Sequence, residues 1–66
     1  MKQKLIEIAK ILWTIPNSNT DTIETVLNPI ETEEEANKML KYLQENDGQL
    51  KIGYLIKHRR DIIRSK

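Results

Sequence analysis

The feature that most constrains the fold is residues 32–48, TEEEANKMLKYLQENDG, because the start, inner face and end of one helix can be identified there. Thr32 is a favourable N-cap residue, and Glu35 three positions later completes a T-x-x-E capping box. Gly48 marks the end, because glycine takes the left-handed C′ conformation without a Cβ penalty. Apolar side chains recur between these ends at helical spacing, at Ala36, Met39, Leu40 and Leu43.

This predicted helix has a charged outer face, on which Glu34 and Lys38 are placed to form an i,i+4 ion pair. An isolated helix of this length is only marginally stable in water. Other segments of the chain must therefore cover its apolar stripe.

Residues 2–15 form a second predicted helix, and its apolar surface is wide. One stripe is the expected core face: Leu5, Ile8, Ala9, Leu12 and Ile15. Ile6 and Trp13 lie outside this stripe, seven residues apart and so on one side of the helix. A helix with this much apolar surface is either central to the fold or part of an oligomer contact. We predict Ile6 and Trp13 as the oligomer interface, since Trp is enriched at binding hot spots.

Residues 21–28 fit either a short helix or a strand. The helical interpretation has Asp21 as N-cap and Glu24 at N3, followed by apolar residues at helical spacing. The β-branched residues Thr22, Ile23 and Thr25 favour a strand instead. The N-cap signal favours the short helix.

Residues 50–64 also fit both structures. The spacing of their apolar residues predicts a helix with Arg59 as the one polar residue on its apolar face, although residues 50–57 alternate as in a strand. The pattern continues to Ile63, too far for a typical strand. The sequence therefore predicts an all-α fold, a small bundle of three long helices and one short helix. The alternative is an α+β fold with a two-stranded sheet from residues 22–27 and 50–57.

The length and composition limit the class of protein. Sixty-six residues predict one domain, residues 1–66, and a chain this short has a small core and marginal stability. The chain has no cysteine, which excludes disulfides and thiolate metal sites. No apolar run approaches the roughly 18 residues of a membrane span. We predict a cytoplasmic protein without a membrane partner.

The sequence offers few groups for catalysis. His58 is the only histidine, and no motif places it as the base of a triad. Gly48 and Gly53 are the only glycines, so there is no Gly-rich phosphate loop. We therefore predict no enzyme activity, no cofactor, no metal site and no small-molecule substrate.

The net charge of +1 is unevenly distributed. Residues 21–35 hold six acidic and no basic side chains, whereas residues 51–66 hold six basic side chains and one acidic. The two regions either face each other or form separate solvated faces. The basic end could also contact an acidic partner or a phosphate backbone.

Residues 32–64 have the outline of a helix-turn-helix, with a turn around Gly48 and a basic second helix. In that motif the second helix enters the DNA major groove. The residues predicted to contact nucleic acid or an acidic partner are Gln49, Lys51, Tyr54, Lys57, Arg60 and Arg64. We favour a self-associating protein-interaction module, with a small nucleic-acid-binding regulator as the alternative.

Overall fold

The computed structural model describes residues 2–64, which form four helices: α1 (Lys2–Trp13), α2 (Thr20–Leu27), α3 (Glu33–Glu45) and α4 (Ile52–Arg64). No strand occurs within this range. The prediction of an all-α bundle with three long helices and one short helix is confirmed, and the α+β alternative is wrong. Residues 22–27 belong to α2 and residues 52–57 to α4, because helical spacing lets each segment bury one apolar face.

The core lies where the four helices meet. α1 packs against α2 and α3, and α4 packs against the same two helices. The buried side chains come from every helix and from both flanks of α2, and no polar or charged residue in 2–64 is fully buried. The buried set is Ile8, Leu12, Ile15, Ile23, Val26, Ile30, Ala36, Met39, Leu43, Ile52, Leu55, Ile62 and Ile63. The apolar stripes of α1 and α3 therefore cover each other, as their spacing requires.

α1 ends at Trp13, two residues before the predicted end, and the chain leaves it through a tight turn. The amides of Thr14 and Ile15 donate to carbonyls three residues back, and the Thr14 hydroxyl donates to the Ile11 carbonyl at 2.6 Å. Ile15 remains buried outside the helix. The turn thus preserves the core contact that the helical pattern predicted.

α2 begins earlier than the sequence indicates. Asn19 is its N-cap: the Thr22 amide donates to Asn19 Oδ1 at 3.0 Å, and the Asn19 amide donates to Thr22 Oγ1 at 2.8 Å. The prediction of Asp21 as N-cap with Glu24 at N3 is wrong. Asp21 lies inside the first turn, where its carboxylate is near the positive end of the helix dipole.

α3 begins as predicted. The Glu35 amide donates to Thr32 Oγ1 at 3.2 Å, and the Thr32 amide donates to Glu35 Oε1 at 3.1 Å. On the outer face Lys38 Nζ lies 3.9 Å from a Glu34 carboxylate oxygen, which confirms the expected i,i+4 pair.

The end of α3 differs in detail from the prediction. The helix stops at Glu45, with Asn46 as C-cap. Gly48 is left-handed, with φ of +85°, but it follows the cap by two residues instead of one. The extra residue is accommodated in a turn closed by the Gln49 amide, which donates to the Asn46 carbonyl at 3.0 Å.

Candidate interaction surfaces

The wide apolar surface of α1 is mostly covered by the other helices. Ile8 and Leu12 are fully buried, and Leu5, Ala9 and Ile11 pack against the edge of the core. Packing therefore uses the core stripe that the spacing predicted, and Ile11 beside it.

Two large apolar side chains of α1 remain in solvent. Ile6 is 41 % exposed and Trp13 is 55 % exposed. They lie about two helical turns apart on one side of α1, with the exposed Lys10 between them in sequence. We call Ile6 and Trp13 the α1 patch. It contains the two residues predicted for the oligomer interface, and the fold leaves about half of each side chain exposed.

The second predicted surface lies on and before α4. All six of its residues are exposed: Gln49, Lys51, Tyr54, Lys57, Arg60 and Arg64. Lys57, Arg60 and Arg64 are spaced three and four residues apart, so they share one face of the helix. Asp61 is exposed on the same side and interrupts the positive charge.

The structure divides five of these six residues between two grooves. Gln49, Lys51 and Tyr54 line a groove of about 190 Å³ at the start of α4, together with Tyr42 of α3. We call it the tyrosine groove. Arg60 and Arg64 line a different groove at the other end of α4, and Lys57 lines neither of the two. The six residues thus do not form one continuous binding surface.

The tyrosine groove was missed from the sequence, because Tyr42 and Tyr54 are on different helices. Burial raises the pKa of Tyr42, and the nearby Tyr54 hydroxyl raises it further, so Tyr42 is neutral at physiological pH. On the opposite side Tyr54 contacts the His58 ring, with centroids 4.3 Å apart. The groove therefore offers aromatic faces and amide groups, which suit binding better than proton abstraction.

The second groove runs between the α2–α3 connection and the last two turns of α4, with a volume of about 360 Å³. Arg59, Arg60 and Arg64 of α4 line it opposite Glu31 and Glu35, and we call it the arginine groove. The two oppositely charged regions of the sequence therefore face each other here. Lys66, which contributes to the basic region, lies outside the described residues.

The carboxyl of Glu35 in the arginine groove has a lowered pKa. The backbone amide of Glu31 lowers the pKa of the Glu35 carboxyl, the Thr32 amide and hydroxyl lower it further, and the charge of Arg64 adds a smaller effect; desolvation opposes them. The carboxylate is thus held mainly by the capping box of α3. Across residues 2–64, no ion pair within 4.0 Å joins it to the three arginines.

Arg59 has a side-chain nitrogen that is buried without a hydrogen-bond partner in the described part of the chain, whereas the sequence indicated only its position on an apolar face. It is the polar residue on the apolar face of α4, and it is half-buried. One of its terminal nitrogens, Nη1, donates to the Ile56 carbonyl, whereas Nε is buried and has no hydrogen-bond partner in the described part of the chain.

The helix-turn-helix comparison can be tested on the connection between α3 and α4. Six residues, 46–51, separate Glu45 from Ile52, whereas the motif uses a turn of about three or four residues. The connection is therefore longer than the motif requires.

Within residues 2–64, no three His, Cys, Asp or Glu side chains are grouped so that they could hold a metal ion. None of the four helices has the length and apolar character needed to cross a bilayer.

Comparison of the chain with protein-family models, with curated proteins and with solved structures finds no match.

Proposed function

We propose that this protein is a non-enzymatic protein-interaction module that self-associates through the α1 patch. The observation that supports the proposal is the exposure of Trp13 and Ile6 on one side of a helix whose other large apolar residues are covered. Trp supplies a large, rigid apolar contact and is the residue type most enriched at interface hot spots. We place the module in the cytoplasm, because a chain without cysteine suits a reducing compartment.

The size of the α1 patch sets the strength of the contact. A buried aromatic side chain removes about 150–250 Å² from water, so the exposed half of Trp13 represents on the order of 100 Å². At about 25 cal/mol per Å², two copies gain on the order of 5 kcal/mol. Association costs at least about 4 kcal/mol in lost freedom. Trp13 alone therefore leaves a surplus of at most about 1 kcal/mol, whereas a millimolar Kd needs about 4 kcal/mol. Self-association in the millimolar range requires the contact to bury Ile6 and neighbouring apolar atoms of α1 as well as Trp13.

Sedimentation equilibrium from about 10 μM to about 2 mM tests the proposal, because a dimer with a Kd of about a millimolar or tighter is populated within this range. The average mass of the wild type should rise above 7.8 kDa with concentration. Trp13→Ser should abolish the rise. Tyr54→Ser is a matched control, since Tyr54 is an aromatic side chain of nearly equal exposure, 53 %, on another helix. A mass that stays at 7.8 kDa throughout, or equal loss of association in both variants, would contradict self-association through α1.

A second candidate function, nucleic-acid binding, is favoured by one observation: Lys57, Arg60 and Arg64 share an exposed face of α4. Three phosphate contacts predict that the logarithm of the affinity for duplex DNA falls with the logarithm of the salt concentration, at a slope of about −3. Lys57→Gln should make that slope shallower by about one unit. The α1 proposal predicts only weak binding to random fragments, with no preference among sequences. Tight binding to one fragment in a salt titration would favour the second candidate.

A further inference from the structure

The arginine groove is a candidate binding site independent of the α1 patch. Its volume of about 360 Å³ is within the range of roughly 300–1,000 Å³ that small-molecule sites occupy. It is formed by segments distant in sequence, the α2–α3 connection and the end of α4. Only the folded chain can present it.

Arg59 provides a hydrogen-bond donor that the protein leaves unused. Its Nη1 is satisfied by the Ile56 carbonyl, but its buried Nε has no partner among residues 2–64. A buried donor without an acceptor is unfavourable, especially on a charged group. A small movement of the side chain would let a ligand oxygen accept a hydrogen bond from this nitrogen. The new hydrogen bond would remove the cost of the unpaired donor and so favour binding.

Arg60 and Arg64 add further donors on the same wall. Both are exposed, and no hydrogen bond or ion pair with another described residue engages their guanidinium groups. A guanidinium is a planar fork whose paired N–H groups match the oxygens of a carboxylate or a phosphate. The ligand chemistry that suits this wall is therefore an oxyanion.

The opposite wall limits the size and charge of the ligand. Glu35 Oε1 accepts from the amides of Glu31 and Thr32, at 2.9 and 3.1 Å, so the start of α3 already holds this carboxylate. Its negative charge, together with that of Glu31, would repel the successive phosphates of a polyanion. We propose that the arginine groove binds a small molecule with a single oxyanion group, a phosphate or a carboxylate.

The experiment is an NMR titration of the ¹⁵N-labelled protein with inorganic phosphate and, separately, with acetate. Ionic strength is held constant with chloride. We expect saturable shifts of the Arg59 Nε–H resonance and of the α4 backbone amides, with a Kd on the order of a millimolar for the better anion. The relative affinity of phosphate and acetate then identifies which oxyanion the groove selects.

Three variants distinguish binding in the arginine groove from nonspecific attraction of anions to the positive charge of α4. Arg59→Lys keeps the charge but removes the fork, and should weaken binding about tenfold or more, as expected for one charge-assisted hydrogen bond. Arg64→Gln, at an exposed position, should also weaken binding and tests the groove if Arg59→Lys fails to fold. Lys57→Gln removes the same charge from α4 outside the groove and should leave the affinity unchanged. Non-saturable shifts with both anions, or equal weakening by Lys57→Gln and Arg64→Gln, would overturn the proposal.

Discussion

α2 and α3 start with the same hydrogen-bonding arrangement but build it from different side chains. In α3 the Thr32 hydroxyl and the Glu35 carboxylate each accept from the other's backbone amide. In α2 the same two roles fall to the Asn19 amide oxygen and the Thr22 hydroxyl. A capping box therefore requires two acceptors at the correct spacing and does not require a charge. The difference has consequences for stability that mutation can measure.

The two helices each carry a leucine near their last turn, and these leucines differ in burial. Leu43 of α3 is fully buried, whereas Leu27 of α2 is only partly buried against the core. Leu43→Ala should lower the free energy of unfolding by about 2–5 kcal/mol, through lost burial and a cavity. Leu27→Ala should cost clearly less, because part of that side chain remains in water.

Urea unfolding followed by circular dichroism measures both variants. A 66-residue domain is expected to have a stability of only about 3–10 kcal/mol, so complete loss of the cooperative transition in Leu43→Ala agrees with the expectation. Equal effects of the two substitutions would show that Leu27 contributes as much to the core as Leu43.

The chain leaves the two helices in different ways. After α3 it needs Gly48, whose φ is +85°. After α2, which ends at Leu27, the C-cap Asn28 is in the right-handed conformation and Pro29 follows it. A Cβ at residue 48 would meet nothing within 4 Å, so Gly48→Ala tests backbone strain alone, and it should cost about 1–2 kcal/mol.

Gly53, in the first turn of α4, is the control for this substitution. A Cβ there also meets nothing within 4 Å, but φ is not positive. Gly53→Ala should therefore raise the unfolding free energy by about 0.4–1 kcal/mol. Thermal denaturation of the two variants should give shifts of opposite sign. A loss of stability in Gly53→Ala would show that the start of α4 is not helical.

The helix caps are expected to contribute less to the free energy of unfolding than the buried core side chains. Thr32→Ala and Asn19→Ala should each cost about 0.5–2 kcal/mol, because an amide in the first turn loses its acceptor. Asp21→Ala should cost less than Asn19→Ala, since Asp21 only interacts with the helix dipole, an effect of about 0.3–1 kcal/mol. The denaturant midpoints of the variants rank these stability effects. A larger effect at Asp21 than at Asn19 would place the start of α2 where the sequence alone suggested.

The smallest expected difference concerns pH. The pKa of the Glu35 carboxyl is lowered in the folded protein, first by the Glu31 amide, so it stabilises α3 above the pKa of an unfolded glutamate, and that stabilisation is lost as the pH falls through the folded value. The α2 cap contains only an amide and hydroxyls, which do not titrate in this range.

Glu35→Gln tests this difference, because glutamine keeps an acceptor in the capping box but cannot ionise. The wild type should be more stable than the variant near neutral pH, and the gap should close in acid. Asn19→Asp is the reciprocal change, and it should make the stability of the α2 cap depend on pH. A constant gap between wild type and Glu35→Gln at all pH values would contradict the role of the carboxylate charge.

The contrast between α2 and α3 also shows which parts of the fold could be predicted. The start of α3 could be located because Thr32 and Glu35 form the one clear capping box beside an apolar stripe. Near α2 the prediction rested on Asp21 with Glu24, whereas the structure uses Asn19 with Thr22, a pair at the same spacing. Thr22 as the N3 partner was missed because the capping box is usually read with Glu or Gln at that position.

The sequence by itself determined the helical class, the cap of α3, the position of Ile6 and Trp13 on one side of α1 outside its core stripe, and the opposite charges of the two regions. These depend on residues within a few positions of each other, so spacing alone indicates them. The tertiary structure alone decided that α1 keeps only Ile6 and Trp13 uncovered, that Tyr42 meets Tyr54, and that Arg59 faces Glu31 and Glu35 across a groove. Each of these depends on how separate helices pack, which no local pattern specifies.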